Sequence, residues 1–422
     1  MNVPKGYKMT EVGVIPEDWE VKELADIGYF FSGGTPNTSK SEFYGGDIPW
    51  ITSSDLNQGM ILNVEGRITQ KGLNNSSAKL IRKGTLLLAL YGATAGVVGI
   101  SLIDGAINQA VLAINSNTED IQFLYQKFIL AKDWIIKTYT QGGQPNLSGE
   151  IVKSIKFTFP PMPEQKAIAR VLSDTDELIN ALDKLIAKKR DIKKAVMQEL
   201  LTGKTRLPGF SGEWEVKRLG DHLEFLRNGV NSRSELTIDD PVKYLHYGDI
   251  HGSNSVFLNP LKLPSLPSSK ASSLSRLKNG DLVFADASED LDGVGKSVEI
   301  TGASGIELVA GLHTIAVRFD NSVLADGFKA YLQFHPTFIN QLRRLASGTK
   351  VYATNRSYIA GIEINLPSIE EQRSIAQVLS DMDKEITALE QRRDKTKALK
   401  QGMMQALLTG RIRLPKEDTN DA

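Results

Sequence analysis

The 422-residue chain contains no cysteine. It therefore has no disulfide framework and no thiolate metal site, and a reducing, cytoplasmic setting is expected. Histidine is scarce: His222, His246, His251, His313 and His335 are the only five, and no two have the i,i+3 or i,i+4 spacing of metal ligands on a helix. No apolar run reaches the roughly 18 residues of a membrane span, and the N-terminal stretch has no signal-peptide apolar core, so no membrane partner is expected. An excess of either charge is also missing, with 50 Lys and Arg against 50 Asp and Glu. A non-specific polyanion binder carries a large positive excess, so the balance argues against that class. It leaves sequence-specific DNA binding open, with a partner supplying much of the phosphate contact.

Catalytic motifs are missing as well. Gly293-Val-Gly295-Lys296-Ser297 follows an apolar run as a phosphate loop would, but the full pattern needs a glycine where Asp290 stands. A carboxylate there opposes phosphate, so the segment reads as a strand-to-strand loop. Asp18, Glu20 and Lys22, with Glu215 and Lys217 at the matched place, resemble the tail of a nuclease carboxylate set. They lack the convergent partner that metal chemistry needs and read as structural strands. No methyltransferase Asn-Pro-Pro-Tyr-type loop and no Ser/His/Asp constellation occurs. The expectation is a chain with no catalytic residue, no metal site and no cofactor of its own.

What the chain does have is a duplication. Residues 160–208 align with residues 367–415 at a constant offset of 207, with 24 of 49 positions identical. Trp19-Glu-Val-Lys22 aligns with Trp214-Glu-Val-Lys217, Ile48–Leu56 with Val242–Ile250, and Gly84–Ala89 with Gly280–Ala285. Ala106–Val111 aligns more weakly with Ala310–Ile315, at offset 204. The order is globular region, helix, globular region, helix.

The globular regions read as mixed α/β. Thr85–Leu90 and Asp281–Ala285 are short apolar runs bounded by glycine, as buried strands are. Ser154–Phe159 and Gly361–Leu366 alternate strictly, as half-buried strands do, and helices are expected near 120–137 and 325–346. In the repeated stretches, apolar residues recur at Ile168, Leu172, Ile179, Leu182, Ile186, Ile192, Val196 and Leu200, and at Ile375, Leu379, Met382, Ile386, Leu389, Leu399, Met403 and Leu407. Steps of three and four are the seam of a coiled coil. Ser368 with Glu371 forms a capping-box pattern, Pro163-Glu164 suits a first turn, and Gly203 and Gly410 give matched stops before Pro208 and Pro415. Ser173-Asp174 and Ser380-Asp381 are candidate caps for a break in each helix. A helix of about 38 residues spans roughly 57 Å. Pairing antiparallel within the chain, two such helices would hold the globular regions apart. Lys189, Arg393 and Thr396 interrupt the seams with polar groups, and the basic clusters Lys188–Lys194 and Arg392–Lys400 read either as solvated faces or as contacts to spacer phosphates or an acidic partner.

The layout, the Pro-x-x-x-Glu-Gln-x-x-Ile-Ala-x-Val-Leu-Ser-Asp-x-Asp motifs at 160–176 and 367–383, and the Leu-Leu-Thr-Gly helix ends resemble the DNA-specificity subunit of type I restriction–modification systems. Gly33-Gly-Thr-Pro36 and Gly45-Gly-Asp-Ile-Pro-Trp50 resemble first recognition domains of that family. The resemblance implies target recognition domains at 1–159 and 209–366, spacer helices at 160–208 and 367–415, and a disordered tail at 416–422. It implies two α/β domains with long antiparallel coiled-coil helices and internal pseudo-two-fold symmetry. Each domain would read one half of a bipartite, asymmetric site in double-stranded DNA. The helices would set the spacer and dock two methyltransferase subunits, with restriction–translocase subunits joining through these. S-adenosylmethionine, ATP and Mg would belong to those partners. A coiled-coil scaffold without DNA binding and a methylation-only defence system stand as alternatives.

Direct readout favours Arg and Lys on guanine and Asn and Gln on adenine. The DNA-facing candidates are therefore polar, aromatic and basic residues near Gly-rich loops. In the first domain they are Thr35, Asn37, Lys40, Tyr44, Thr52, Ser53, Tyr91, Asn108, Gln109, Gln144 and Asn146. In the second they are Arg227, Asn228, Asn231, Arg233, His246, Tyr247, Lys296, His313, Lys350, Tyr352, Asn355 and Arg356. His246 and His313 read equally as satisfied core residues, and Trp19 and Trp214 as matched core anchors.

Overall fold

The computed structural model describes residues 3–140, 146–346 and 351–414. Gln144, Lys350, Pro415 and the tail 416–422 lie outside the described residues. The chain divides into two compact units, Met1–Asp183 with Gln391–Ala422, and Lys184–Glu390. Each unit thus holds one globular region and one half of each long helix.

In the first unit a five-stranded sheet has the order Gly28–Ser32, Val111–Ser116, Leu86–Ala89, Val98–Ser101, Met60–Ile61. Beside it lies a four-stranded sheet in the order Arg67–Ile68, Tyr44–Ile51, Gly105–Ile107, Lys79–Ile81. Leu86 and Leu88 pack with Phe123, Leu124 and Phe128 of the helix Ile121–Tyr139, whereas Leu87 and Ala89 pack with Ile51, Leu56 and Ile107. Both faces of the strand are buried, which is why its sequence is a continuous apolar run rather than an alternating one. Asp120 caps the helix by accepting from the Phe123 N–H.

The second unit repeats this plan. Its five-stranded sheet runs Leu223–Phe225, Thr314–Phe319, Leu282–Ala285, Ser297–Ile300, Phe257–Leu258, and its smaller sheet runs Ser265–Leu266, Val242–Leu245, Glu307–Ala310. The strand register corrects the weakest part of the sequence alignment. Val111 sits opposite Ala89, and Thr314 opposite Ala285, so the matched offset is 203 rather than 204. A strand buried on both faces has no polar alternation to fix its register in an alignment. The helix expected over 325–346 is a 3-10 turn at Lys329–Phe334 followed by a helix at Pro336–Leu345. Pro336 has no N–H to continue the preceding turn, and His335 caps the new helix through Nδ1, which accepts from Thr337 N–H.

The long helices are unbroken, at Met162–Leu201 and Ile369–Leu407. Asp381 is held by Gln377 and Lys384 on its own helix and caps nothing. Ser368 accepts from Glu371 N–H, but the Glu371 side chain turns to Arg206, so the reciprocal half of a capping box is absent. Gly203 and Gly410 follow the helix ends with φ of 69° and 72°, the left-handed conformation that glycine adopts without strain.

Within each unit the two helix halves pack antiparallel. In the first unit Ile168 and Leu172 share a core with Met404, Leu407 and Leu408, and in the second Met197, Leu200 and Leu201 share one with Ile375 and Leu379. Two expected seam residues lie outside: Ile192 is 40% exposed and Leu399, its repeat equivalent, 60%. Lys193 and Lys400, one residue on, hold the inward positions and pair with Asp383 and Asp176 of the facing helix. Arg190–Glu390 and Lys397–Asp183 form a second matched set. The basic clusters are thus largely spent on interhelical pairs, with Lys189 to Glu385 and Arg393 to Asp183 as further examples.

Candidate nucleic-acid interface

At one end of the first unit's sheets, five chain segments converge. Their backbones are tied by hydrogen bonds from Gly34 N–H to Ile107 O, Asn108 N–H to Ile51 O, Leu90 N–H to Ala110 O, and Leu147 N–H to Leu90 O. The segment after strand Gly28–Ser32 must be glycine. A Cβ on Gly33 would lie 1.8 Å from Ile107 O, and one on Gly34 would lie 2.0 Å from Ser77 Oγ. The loop Asn108–Ala110 crosses from the smaller sheet to the larger one, and Asn108 Oδ1 accepts from Ala110 N–H to hold its turn. Gln109 is exposed at its tip, and its Oε1 accepts a hydrogen bond from Thr35 Oγ1 at 2.5 Å.

The crevice thereby gathers Thr35, Thr52, Ser53, Tyr91, Asn108, Gln109 and Asn146. Thr52 is fixed by Asp55, which accepts from both its N–H and its hydroxyl. Tyr91 bridges Asn146 through the backbone. Asn37, Lys40 and Tyr44 lie just beyond. Asn37 Oδ1 accepts from Ser39, Lys40 Nζ lies 5.2 Å from the Phe43 ring centre, and the Tyr44 hydroxyl donates to Pro36 O at 2.5 Å. Burial raises the Tyr44 pKa.

The second unit builds the same crevice from matching segments. Gly311 N–H donates to Leu245 O, Gly229 N–H to Ala310 O, Asp286 N–H to His313 O, and Thr354 N–H to Asp286 O. The crossing loop is here Gly311–His313. His313 has φ of 56°, alone among the described non-glycine residues in the left-handed region, and its Nδ1 lies 3.2 Å from Asp286 Oδ1. Such backbone strain collects at functional sites. Tyr247 packs among imidazoles, with ring centres 4.5 Å from His246, 6.1 Å from His251 and 5.5 Å from His313.

His246 itself is buried, and its Nδ1 accepts from Gly248 N–H. Burial and then the Arg233 charge push its pKa down. Arg233 pairs with Asp249, Asn231 donates to Glu235, and Lys296 Nζ donates to His251 O at 2.7 Å. Arg356 donates to Leu226 O and Asn228 Oδ1 and covers the Phe225 ring. Asn355 caps a short helix by accepting from Tyr358 N–H, and Tyr352 pairs with Ser288. Arg227 is exposed.

Two crevice residues escaped the sequence reading. Lys79 pairs with Ile107, just before the crossing loop, and Asp286 holds His313. The signal for Asp286 was its match to Leu90, a carboxylate where the first copy is apolar. The phosphate-loop lookalike is closed on itself. Asp290 accepts from Gly293 N–H, and Lys296 is turned to His251.

Behind the crevices, each globular region is clamped to the helices. Glu164 accepts from Trp19 Nε1 and from Arg413, and Glu371 accepts from Arg206. Trp19 is fully buried, but Trp214 is only partly so and lies under the Arg206 guanidinium. No helix among the described residues is long and apolar enough to cross a membrane, and no cluster of metal-ligand type occurs among them.

The family profile described as the type I restriction modification DNA specificity domain matches residues 16–193 and again 211–400. The chain is 27% identical over 424 aligned positions to the type I restriction enzyme MjaVIII specificity subunit of Methanocaldococcus jannaschii, covering 95% of this chain and 94% of that one. It is 32% identical to the MjaIX specificity subunit of the same organism over 250 positions, 54% of this chain and 56% of that one. Its fold is similar to the type I restriction-modification S subunit from M. genitalium, with a TM-score of 0.60 at 14% identity over 95% of this chain and 97% of that one. It is also similar to the HsdS subunit from Thermoanaerobacter tengcongensis, with a TM-score of 0.51 at 17% identity over 94% and 98%. With the profile spanning most of its length in two copies, the chain belongs to the type I restriction–modification DNA-specificity family and is a specificity subunit, not itself a catalyst.

Proposed function

We propose that this subunit recognises a bipartite, asymmetric site in double-stranded DNA, residues 1–159 reading one half and residues 209–366 the other. One observation carries this reading. The two crevices are built from matching segments and matching backbone hydrogen bonds, yet they present different side chains. A shared frame with divergent lining suits two readers of two sequences.

The helices of 160–208 and 367–415 set the number of unread base pairs and dock two methyltransferase subunits, through which restriction–translocase subunits join. The matched exposure of Ile192 and Leu399 supports a dock that occurs twice. S-adenosylmethionine, ATP and Mg are used by those partners, in the cytoplasm. The test is methylome sequencing of cells expressing the chain with its methyltransferase subunit, alongside DNA affinity measured against salt. One bipartite motif with methylated adenine, and affinity falling steeply with salt, is the expected result. Absence of both would leave a protein-binding scaffold. A cognate restriction subunit that cleaves with this complex would separate full restriction from methylation alone.

A further inference from the structure

The two crevices differ in the kind of chemistry they offer. The converging segments of the first, residues 33–35, 51–53, 90–92, 108–110 and 146–147, contain no ionisable group other than the Tyr91 phenol. The matching segments of the second, residues 228–230, 245–247, 286–288, 311–313 and 353–354, contain His246, Tyr247, Asp286 and His313. Apart from Lys79 on the neighbouring strand, the first crevice therefore offers amides and hydroxyls. In the major groove, a carboxamide matches adenine in a bidentate way: its N–H donates to N7 and its oxygen accepts from the N6 amino group.

Of the amides present, Asn108 is committed, because its Oδ1 holds the Ala110 N–H. Gln109 is differently placed. It stands exposed between the partly buried Asn108 and the buried Ala110, on a loop whose backbone is pinned to three neighbouring segments. Its Oε1 is already oriented by the Thr35 hydroxyl, and an amide oxygen has a second lone pair to offer. Its Nε2 donates to no group among the described residues. A donor and an acceptor are thus presented side by side from a rigid support, which lowers the ordering cost of forming the pair.

We infer that Gln109 reads an adenine in the half-site of the first domain, with Thr35 as the residue that positions it. The inference rests on the proposed DNA-reading function and adds a base to it. The complex with the methyltransferase subunit, assayed for methylation of oligonucleotides varied singly at every position of both half-sites, tests it. Gln109→Ala should reduce discrimination at one adenine of one half-site by roughly 5- to 150-fold, the range for a bidentate pair, and leave the other half-site unchanged. Gln109→Glu keeps only acceptors, so the preference at that position should move from adenine towards cytosine, whose N4 amino group donates. Thr35→Val should relax the same position partially, with an unchanged melting temperature. Unaltered preferences at every position in Gln109→Ala, or relaxation in both half-sites together, would overturn the assignment while a bipartite wild-type site kept the proposed function intact. A wild-type complex with no bipartite site would remove both.

Discussion

Arg413 donates from Nε and Nη2 to the two carboxylate oxygens of Glu164, each at 2.5 Å. The repeat equivalents, Arg206 and Glu371, make the same bidentate pair. Each arginine follows the end of one long helix, and each glutamate opens the other helix. The pairing therefore crosses between the two sequence copies, and neither copy completes a unit alone. In the first unit Tyr7 adds to the closure by donating to Gly410 O, and Arg413 also binds Asp18.

The two clamps should differ in strength. The Glu371 side chain is 1% exposed, and Arg206→Ala would strand it as a buried carboxylate without its partner, a clearly destabilising change. Glu164 is 12% exposed and keeps the Trp19 indole N–H, so Arg413→Ala should cost less, about 1.5–3 kcal/mol. Denaturant unfolding of the two variants measures this. A smaller loss for Arg206→Ala than for Arg413→Ala would contradict the ranking by burial.

Lys127 should make the first unit sensitive to pH. Its Nζ is buried, donates to Leu408 O and Thr158 Oγ1, and lies near the rings of Trp19, Phe123 and Phe157. Burial pushes its pKa down to about 7, against roughly 10.4 in an unfolded chain. Between those values the unfolded state binds more protons, so stability should rise with pH from about 7 to 10, with the burial cost fully present below 7. Lys127→Met removes the charge, and its stability relative to wild type should fall as pH rises through that window. A difference that stays constant from pH 7 to 10 would mean that Lys127 is not titrating in the fold.

Much of this was legible in the sequence, because duplication, apolar runs and glycine stops are local signals. The unread parts depend on tertiary neighbours. Nothing local says that Glu371 prefers Arg206 to the capping position its motif offers, or that Arg356 is turned towards Asn228. Ile192 looked like a seam residue, but the helix pair instead places Lys193 inward, where Asp383 neutralises it. In the crevices, residue type and glycine context picked out segments that do converge. They could not show that His246 is buried as a cap while His313 is exposed and strained.

Exchange of residues 215–366 for the corresponding domain of a relative should alter one half of the recognised site and leave the other unchanged. The expectation follows from crevices whose polar lining comes wholly from one unit each. Methylome sequencing reads the result. A change in both halves, or in neither, would refute independent reading.

The spacing should respond to helix length only when both helices change. Ion pairs fall on either side of a short central stretch: Asp183 with Arg393 and Lys397 in one unit, and Arg190 with Glu390 in the other. Four residues inserted after Ala187 alone would lengthen one helix against an unchanged partner and force these pairs out of register. Four residues inserted after both Ala187 and Gln391 preserve every pair, add about 6 Å along the axis and rotate the following turns by about 40°. DNA rises about 3.4 Å per base pair, so the unread spacer should lengthen by roughly one or two base pairs with both half-sites intact. The single insertion should instead lose stability and methylation. Methylome sequencing that returned altered bases within a half-site and an unchanged spacer would show that the helices do not set the distance.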